Sequence, residues 1–415
     1  MFKSPRGTFD ILPEVQNHWK YLKKTATAIC ELAGFQRIET PIFEDAEIFS
    51  RTGEDTDIVD KEMYTFPDRG GQMLALRPEG TASVCRSYIQ HGMSNLAQPV
   101  RLYYFYPLFR YERPQAGRYR QHHQFGLESI GDSSGLVDVE VIKLAWRFIN
   151  NLGIDHTTLV INSIGDKECR PKYIQDLKKF YSGKEDRICK DCRERLHRNP
   201  LRLLDDKKPM CQEVSNNAPR SIDYLCSACE DHWNLVQRHL DLLGLDYRID
   251  HRLVRGLDYY NRTVFEIQPR NAKSQSTILA GGRYDGLIQQ LGGKSTPGMG
   301  FGTGFERLIL NMVEQDVSLP SEPRRFIVLV YTSDQALEKV SLLVELFRDG
   351  GIPAVLAPSG RSLKSQMRYA TSMDATHAAI VGESELINGT TSLRNMKTRV
   401  QEEVKDDELI GKVAA

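Results

Sequence analysis

The spacing of apolar residues near the N-terminus predicts a helix followed by a strand at a sheet edge. Apolar residues recur at helical spacing over residues 14–33, and Gly34 follows as a helix stop. The next stretch, FQRIETPIF (35–43), has strand character. Its Pro41 removes a ladder donor, which favours an edge position or a specialised contact.

Aromatic and β-branched residues further along predict a pair of strands around a polar loop. The stretch GQMLALRPEGT indicates a strand that runs into a turn, with a helix from Thr81. RLYYFYPLFRYERPQAGRYRQHHQFGLESIG then predicts two strands joined by a loop that carries Pro114 and Gly117. A later stretch, GMGFGTGFERLIL, predicts another strand and a following helix.

The pattern changes over residues 164–236. Lys, Arg and Asp dominate there, and the apolar spacing becomes helical. Strand-like sequence resumes at Leu253. We therefore interpret 164–236 as a helical insertion in a larger domain that spans residues 1–320.

Strands and helices alternate in the last quarter of the chain. VSLPSEPRR suits a linker. Beyond it, FIVLVYT, IPAVLA, HAAIVG and SLRNMKT alternate with helices over 335–349 and 363–372. This alternation predicts a small α/β domain over residues 324–415.

Composition describes an ordinary soluble globular protein with more than one core. The chain has 415 residues, of which 40% are hydrophobic and 27% charged, and this length exceeds what one core usually supports. No apolar run has the length of a membrane span, and the N-terminal MFKSPRGTFDILPE has no apolar region of the secretory type. The expected location is cytoplasmic, with no membrane partner.

The formal net charge is zero, so any nucleic acid must bind to local basic surfaces rather than to an overall positive field. Six arginines lie in strands or tight turns beside glycine and aromatic residues. Each alone is explained by a side chain that runs along a sheet edge, but together they favour a polyphosphate or carboxylate site, because guanidinium groups bind such oxygens in pairs. No GxxxxGK[ST] loop occurs, so arginines would hold a triphosphate. The six are Arg110, Arg113, Arg118, Arg120, Arg255 and Arg307.

Four of the eight cysteines form two CxxC pairs, Cys189/Cys192 and Cys226/Cys229. This spacing suits one tetrahedral zinc site made by both pairs, and reduced cysteines without metal are the alternative. Cys211 stands as a substitute ligand. Cys30, Cys85 and Cys169 are interpreted as small buried side chains.

Several motifs together resemble the bacterial histidyl-tRNA synthetases, which are class II aminoacyl-tRNA synthetases. PRGTFDILP resembles the family's opening, FQRIETPIFED its dimer-forming motif 1, FRYERPQAGRYRQHHQFGLESIG its motif 2 and GMGFGTGFERL its motif 3. RPEGT, LVRGLDYY and AGGRYDGL resemble its histidine-specific elements. The resemblance covers essentially the whole chain. It implies an α+β catalytic domain, with an antiparallel sheet flanked by helices, and a C-terminal α/β anticodon-binding domain.

The resemblance also implies a reaction and an ATP site. Histidine is activated by ATP to histidyl-adenylate and then transferred to the terminal ribose of tRNA(His). Arg110 would bind the α-phosphate beside Glu112, Phe125 would stack under the adenine, and Arg307 would hold the tail of a bent ATP. Arg255 would act from the opposite face, where other class II enzymes use a metal ion. Mg²⁺ is expected on the β- and γ-phosphates.

Specificity for L-histidine would come from polar groups that pair with the imidazole, because such groups discriminate better than apolar fit. By resemblance, Glu128 and Tyr260 take the imidazole, with Tyr259 beside them. Two alternatives stay open: the tyrosines as an aromatic pair in a core, and Glu128 as a cap on a neighbouring arginine. Glu79 and Thr81 would bind the α-amino group of histidine, and Gln124 would lie near its carboxylate.

The resemblance places tRNA on two surfaces and predicts a homodimer through motif 1. The motif 2 loop would meet the acceptor end with Arg113, Gln115, Arg118 and Arg120. Basic residues of the terminal domain are candidates for backbone contacts, although a solvated helix face explains each one singly. These are Arg361, Lys364, Arg368, Arg394, Lys397 and Arg399.

Two functions without catalysis are rivals. One is the synthetase-like regulatory subunit of histidine biosynthesis, which lacks the anticodon-binding domain and tends to lose the motifs, whereas this chain keeps both. The other is an RNA-binding or amino-acid-sensing module on the same fold, which the intact Arg110, Arg255 and Arg307 disfavour.

Overall fold

A computed structural model describes residues 2–52, 58–115, 117–270, 277–320 and 325–414. The chain separates into two units, Met1–Leu319 and Pro320–Ala415. None of the helices in the described ranges combines the length and apolar character that crossing a membrane requires.

The first unit is built on an eight-stranded sheet with the order β1-β5-β6-β11-β10-β9-β7-β8, and β2, β4 and β3 form a small second sheet. The outer pairs β1–β5 and β7–β8 are parallel and the inner pairs are antiparallel. The strands are β1 (Gln36–Arg37), β2 (Phe43–Asp45), β3 (Tyr64–Pro67), β4 (Met73–Leu76), β5 (Val100–Phe109), β6 (Gln121–Ile130), β7 (Thr157–Ser163), β8 (Tyr247–Ile249), β9 (Asn261–Pro269), β10 (Leu279–Arg283) and β11 (Gly298–Gly304).

One face of the large sheet is covered by helices α1, α4 and α10, whose apolar side chains form the main core with those of the strands. The opposite face carries the candidate site. The helices of the first unit are α1 (Gln16–Leu32), α2 (Ala46–Thr52), α3 (Thr81–Gln90), α4 (Gly135–Asn151), α5 (Arg170–Tyr181), α6 (Lys190–Arg198), α7 (Pro209–Ser215), α8 (Ser227–Leu242), α9 (Leu287–Gln290) and α10 (Phe305–Glu314).

The predicted helix over 14–33 is confirmed as a 3₁₀ turn (Pro13–Val15) followed by α1, and Gly34 ends it with a φ of +74°. The continuous strand predicted over 35–43 is wrong. Only β1 and β2 form, and the buried Arg77 binds the backbone between them, donating to the carbonyls of Thr40 (2.8 Å) and Pro41 (3.2 Å). A side chain therefore replaces a strand partner there.

The helical character of 164–236 is confirmed by α5, α6, α7 and α8. Helices α5, α6 and α7 contribute to a separate apolar cluster, whereas Trp233, Val236 and Leu240 of α8 lie in the main core. Helix α8 extends beyond the predicted end, to Leu242. The strand expected from Leu253 begins only at Asn261, since residues 251–260 form turns and irregular backbone.

The second unit is an α/β arrangement with the sheet order β13-β12-β14-β15-β16. Its four predicted strands and two predicted helices form, whereas α13, β16 and α14 were not predicted. The elements are β12 (Ile327–Tyr331), α11 (Asp334–Asp349), β13 (Ala354–Leu356), α12 (Leu363–Ser372), β14 (His377–Val381), α13 (Glu383–Asn388), β15 (Thr390–Asn395), β16 (Gln401–Lys405) and α14 (Leu409–Ala414).

Candidate active site

A buried carboxylate on β6, Glu128, lies at the centre of a hydroxyl network. Its Oε1 accepts hydrogen bonds from the hydroxyls of Thr81 (2.8 Å) and Tyr104 (3.2 Å), and its Oε2 accepts one from Tyr284 (2.6 Å). These donors come from α3, β5 and the turn after β10, so the fold brings together three distant parts of the chain. The alternative that Glu128 caps a neighbouring arginine finds no support among its hydrogen bonds.

Burial raises the pKa of Glu128 to about 8, although the hydrogen bonds from Tyr284 and Thr81 act in the opposite direction. The side chain is therefore poised to hold or release a proton near neutral pH. Such a group pairs well with an imidazole, whose own pKa lies close by.

Space for this network comes from the glycines of β11. The strand alternates glycine with Met299, Phe301 and Thr303, which point into the core. A Cβ added at Gly300 would lie 1.9 Å from Oε2 of Glu128, so no other residue fits that position. The alternation in GMGFGTG thus gives β11 one core face and one face of bare backbone.

Glu79 lies at the start of α3. Its two carboxylate oxygens accept the backbone N–H groups of Thr81 (2.7 Å) and Ala82 (2.8 Å), where the helix dipole favours negative charge. Burial raises the pKa of Glu79, and those N–H groups and Arg110 act against this rise. RPEGT therefore places a carboxylate and a hydroxyl next to the Glu128 network.

Tyr259 and Tyr260 approach the same network from the irregular segment before β9. Their ring centroids are 4.7 Å apart, and the ring of Tyr259 lies 6.0 Å from that of Tyr284. Because the segment is not a strand, the two side chains do not face opposite sides. Asp258 beside them accepts a hydrogen bond from Asn199 at 2.5 Å, which ties the segment to the helical insertion.

An adjoining pocket of about 350 Å³ is lined by arginines. Burial and the neighbouring Arg118 lower the pKa of Arg307, which is the expected result when cations are crowded together. An anion in this pocket would relieve that repulsion. Its polar lining includes Arg110, Glu112, Arg118, His122, Gln124, Arg255, Glu266 and Arg307.

Arg255 is held in this pocket by an ion pair. Its Nη1 donates to Oε1 of Glu266 at 2.6 Å, and its guanidinium carbon lies 5.8 Å from the ring centre of Tyr260. Its Nε is buried and has no hydrogen-bond partner within the described ranges. The ion pair with Glu266 therefore fixes a cation that lines the arginine pocket and lies close to Tyr260.

The stacking role predicted for Phe125 is wrong. Phe125 is buried in the main core, with its ring 4.9 Å from that of Phe148 and 5.3 Å from that of Phe301. Side chains alternate along β6, so Phe125 points away from the face of Glu128. The rings of Tyr119 and His122 line the pocket, and the one that β6 supplies is His122, whose pKa is lowered to about 3 by burial, Arg110, His123 and Arg307.

The motif 2 loop divides into exposed and anchored residues. Arg113 and Gln115 are exposed, and Arg118 lies 3.6 Å from Glu112. Arg120 instead stacks on Tyr111, with its guanidinium carbon 3.7 Å from the ring centre. Its backbone N–H also donates to the carbonyl of Gly7 at 2.8 Å. The geometry gives Arg120 a structural role here and leaves the other three at the surface or the pocket rim.

The single zinc site predicted from Cys189, Cys192, Cys226 and Cys229 is wrong. The two pairs begin different helices, α6 and α8, and do not meet in the part of the chain that the structure describes. Each pair instead lies with one more cysteine and one aspartate. The two groups are Cys189, Cys192, Asp206 and Cys211, and Asp166, Cys169, Cys226 and Cys229.

Three site residues were missed from the sequence: Tyr104, His122 and Tyr284. A period of two starting at Glu128 leads back through Gln124 to His122, and the same period marks Tyr104 on the paired strand β5. The sequence therefore carries a signal for His122 and Tyr104. Tyr284 lies in a turn, where no periodicity of the sequence indicates which way its side chain points.

The chain matches known proteins over nearly its whole length. The family model described as histidyl-tRNA synthetase matches residues 7–308, and the anticodon binding domain model matches 326–415. A histidine–tRNA ligase from Dehalococcoides mccartyi is 53% identical over 412 residues, covering 99% of this chain and 98% of that protein. One from Halothermothrix orenii is 47% identical over 403 residues, covering 97% of this chain and 96% of that protein.

Among solved structures, an apo histidyl-tRNA synthetase from S. aureus matches with a TM-score of 0.84 and 37% identity, covering 100% of both chains. Both family models and the relatives that match over the full length are those of synthetases, so the rival regulatory function gains no support. The chain belongs to the histidyl-tRNA synthetase family.

Proposed function

We propose that this chain, as a histidine–tRNA ligase, binds L-histidine at the Glu128 network and ATP in the adjoining arginine pocket. One observation carries the proposal: a buried carboxylate with a pKa of about 8 lies among three hydroxyls, beside a pocket of crowded arginines. The carboxylate and its hydroxyls match the donors and acceptors of an imidazole, and the arginines match a polyphosphate.

For histidine, Glu128 accepts the imidazole N–H and a tyrosine hydroxyl serves the other ring nitrogen, with Tyr260 as the candidate. Glu79 binds the α-amino group as a fixed carboxylate, next to Thr81. Gln124, which lies between the two halves, reaches the carboxylate of histidine. A competing side chain without matching polar groups would leave Glu128 buried and unpaired, which supports discrimination.

For ATP, Arg110 and Arg255 bind the α-phosphate from two sides, and Arg307 binds the phosphate tail. The neutral ring of His122 provides a stacking surface for the adenine. A histidine carboxylate oxygen attacks the α-phosphorus, a new P–O bond forms, and the bond to the β-phosphate oxygen breaks to release pyrophosphate. The fixed guanidinium groups stabilise the negative charge that develops on the non-bridging oxygens.

The donor set also fits Mg²⁺. Oε2 of Glu112 is buried in this pocket without a hydrogen-bond partner among the described residues, and it forms a long ion pair with Nη1 of Arg118 at 3.6 Å. Carboxylate and phosphate oxygens are the ligands that Mg²⁺ prefers. When bound, the ion would neutralise charge on the β- and γ-phosphates, with Glu112 as its protein ligand.

Transfer then requires tRNA(His) at the pocket mouth. Exposed Arg113 and Gln115, with Arg118, are placed to meet the acceptor end. In the second unit, basic side chains that are exposed or half-buried on α12, on β15 and in neighbouring loops supply candidate contacts to the anticodon arm. These are Arg361, Lys364, Arg368, Arg394, Lys397 and Arg399.

A homodimer through motif 1 completes the proposal. Strand β1 is the edge of the large sheet, and the small sheet beside it exposes the apolar side chains of Phe43, Phe66 and Met73. A patch of this kind commonly marks an interface. Sedimentation equilibrium of the purified chain tests this point.

The activity test is ATP–pyrophosphate exchange with each of the twenty amino acids, followed by charging of tRNA(His). We expect exchange with histidine alone and charging of that tRNA. Exchange without amino-acid preference, or none with histidine, would contradict the proposal.

A further inference from the structure

Two groups of cysteines in the helical insertion have the same construction. In the first, here called the α6 cluster, Cys189 caps the N-terminus of α6 and Cys192 lies in its first turn. Asp206 and Cys211 join them from the following loop and α7. The four ligand atoms all lie within 4.8 Å of one another.

The second group, here called the α8 cluster, repeats this plan. Cys226 caps the N-terminus of α8 and Cys229 lies in its first turn. Asp166 and Cys169 join them from the turn between β7 and α5, again with all ligand atoms within 4.8 Å. Two unrelated turns thus complete two CxxC helix starts in the same way.

Three thiols and one carboxylate at this spacing match one tetrahedral ion. Ligand atoms about 2.0–2.3 Å from a zinc ion lie roughly 3.5–3.8 Å apart. One carboxylate–sulfur distance in each cluster is 3.7 Å, and every other pair of ligand atoms lies within 4.8 Å. Sulfur-rich tetrahedral sites select zinc among the common divalent metals. A redox-active CxxC pair needs only two thiols and leaves the third cysteine and the aspartate unexplained.

The carboxylates are oriented as metal ligands are. One oxygen of Asp166 lies 3.7 Å from Sγ of Cys169, while the other lies 3.2 Å from a guanidinium nitrogen of Arg262. One oxygen of Asp206 lies 3.7 Å from Sγ of Cys189, while the other accepts a backbone N–H at 2.8 Å. Each carboxylate therefore turns one oxygen to the sulfurs while outside groups hold its orientation. The oxygens that face the sulfurs also have outside partners, which are the N–H of Glu168 for Asp166 (3.0 Å) and Arg195 for Asp206 (3.9 Å).

Backbone groups also point at the sulfurs. The N–H of Asp166 donates to Sγ of Cys169 (3.3 Å), and that of Cys189 donates to Sγ of Cys211 (3.2 Å). Gly165 has a φ of +64°, and a Cβ there would lie 2.6 Å from Sγ of Cys169. The turn is shaped around that sulfur, as expected for a thiolate ligand.

We propose that the insertion binds two structural zinc ions, one in the α6 cluster and one in the α8 cluster. The α6 cluster lies among short helices around a small core, which gains stability from such an ion. The α8 ion also has a second effect. Arg170, next to Cys169 in sequence, donates to the carbonyl of Tyr260 at 2.7 Å, and Arg262 pairs with the ligand Asp166. The ion thereby anchors the backbone that carries Tyr260.

Metal analysis of the full chain, purified under reducing conditions without added metal, tests the number of sites. We expect two equivalents of zinc per chain. The variants Cys192→Ser and Cys229→Ser should each retain one equivalent, and the double variant none. Cys30→Ala, a buried cysteine of α1 outside both clusters, is the matched control and should retain two.

A second measurement covers variants that fail to fold. Unmodified chain stripped of zinc and titrated with Co²⁺ should bind two equivalents, with sulfur-to-cobalt charge-transfer bands and the visible bands of tetrahedral cobalt. Less than one equivalent of zinc as purified, together with no such bands, would overturn the proposal. So would an intact mass that shows a disulfide within each CxxC pair under reducing purification. Loss of all zinc in Cys229→Ser alone would overturn the independence of the two sites.

Discussion

The hydroxyl of Tyr284 lies 2.6 Å from Oε2 of Glu128, although 156 residues separate them in the chain. This contact joins the turn after β10 to the middle of β6. It fixes the carboxylate at the centre of the proposed histidine site and opposes the rise in pKa that burial causes.

Removing that hydroxyl should weaken histidine binding. In Tyr284→Phe, the carboxylate loses a charge-assisted hydrogen bond, so we expect KM for histidine to rise about tenfold or more, with little change in KM for ATP. Steady-state pyrophosphate exchange measures both constants. Tyr173→Phe removes another buried hydroxyl contact, to Pro219 in the insertion, and should leave both unchanged. Equal changes in the two variants would contradict the role of Tyr284.

Glu128 should make the free protein less stable as pH rises. Its pKa is about 8 in the folded chain and near 4.5 in an exposed carboxyl, so the folded state binds more protons between these values. Stability from this group is fully present below about pH 4.5 and is lost as pH rises through 8, at up to about 1.4 kcal/mol per pH unit. The Glu128→Gln chain should therefore gain in stability relative to the unmodified chain from pH 5 to 8. Urea unfolding at each pH measures the difference, and a difference that does not vary with pH would contradict this assignment.

Arg255→Ala should slow adenylate formation by about a thousandfold, because a fixed cation at the developing charge is lost. The variant should still bind tRNA(His). Arg252→Ala is the control, since Arg252 lies three residues away in the same segment but pairs with Asp250 and Asn216. Pyrophosphate exchange and tRNA binding give the two readouts. Thermal unfolding checks the fold, because Glu266 loses its ion-pair partner. Near-normal exchange in Arg255→Ala would remove Arg255 from the mechanism.

Substitutions of His122 and of Phe125 should have different effects, the first on ATP binding and the second on stability. Loss of a stacking surface in His122→Ala should raise KM for ATP about tenfold, and His122→Phe should restore it, because a phenyl ring offers the same face. Phe125→Leu should instead lower the free energy of unfolding without a selective change in KM for ATP. If only Phe125→Leu changed KM for ATP, the adenine would have to lie elsewhere.

Arg113→Ala should affect transfer but not activation. The side chain is exposed in the motif 2 loop, so kcat/KM for tRNA charging should fall about tenfold while pyrophosphate exchange stays constant. Arg147→Ala, an exposed arginine on α4, should change neither. An equal loss of exchange and charging in Arg113→Ala would place this residue in the ATP site instead.

Much of the site was predictable because local patterns carry it. The period of two in β6 and the glycine alternation in β11 identify a polar sheet face, and Gly34 ends α1 as its conformation requires. Phe125 shows how such reasoning fails. It belongs to motif 2, but it lies three positions before Glu128 on the same strand. Side chains an odd number of positions apart face opposite sides of a sheet, so the side chain of Phe125 points into the core. The prediction of one zinc site fails for another reason. The CxxC spacing identifies the two pairs, but it does not identify the cysteine and aspartate that the fold brings to each pair.

By itself, the sequence determined most of the elements, the α+β and α/β division, the family resemblance and most residues of the proposed site. These depend on short-range periodicity and on motifs that occupy a few consecutive positions. Only the tertiary structure decided that Tyr284 reaches Glu128 and that each CxxC pair closes on its own cysteine and aspartate. These contacts join segments that are far apart in the chain. Packing in three dimensions, and not the spacing along the sequence, determines which segments come into contact.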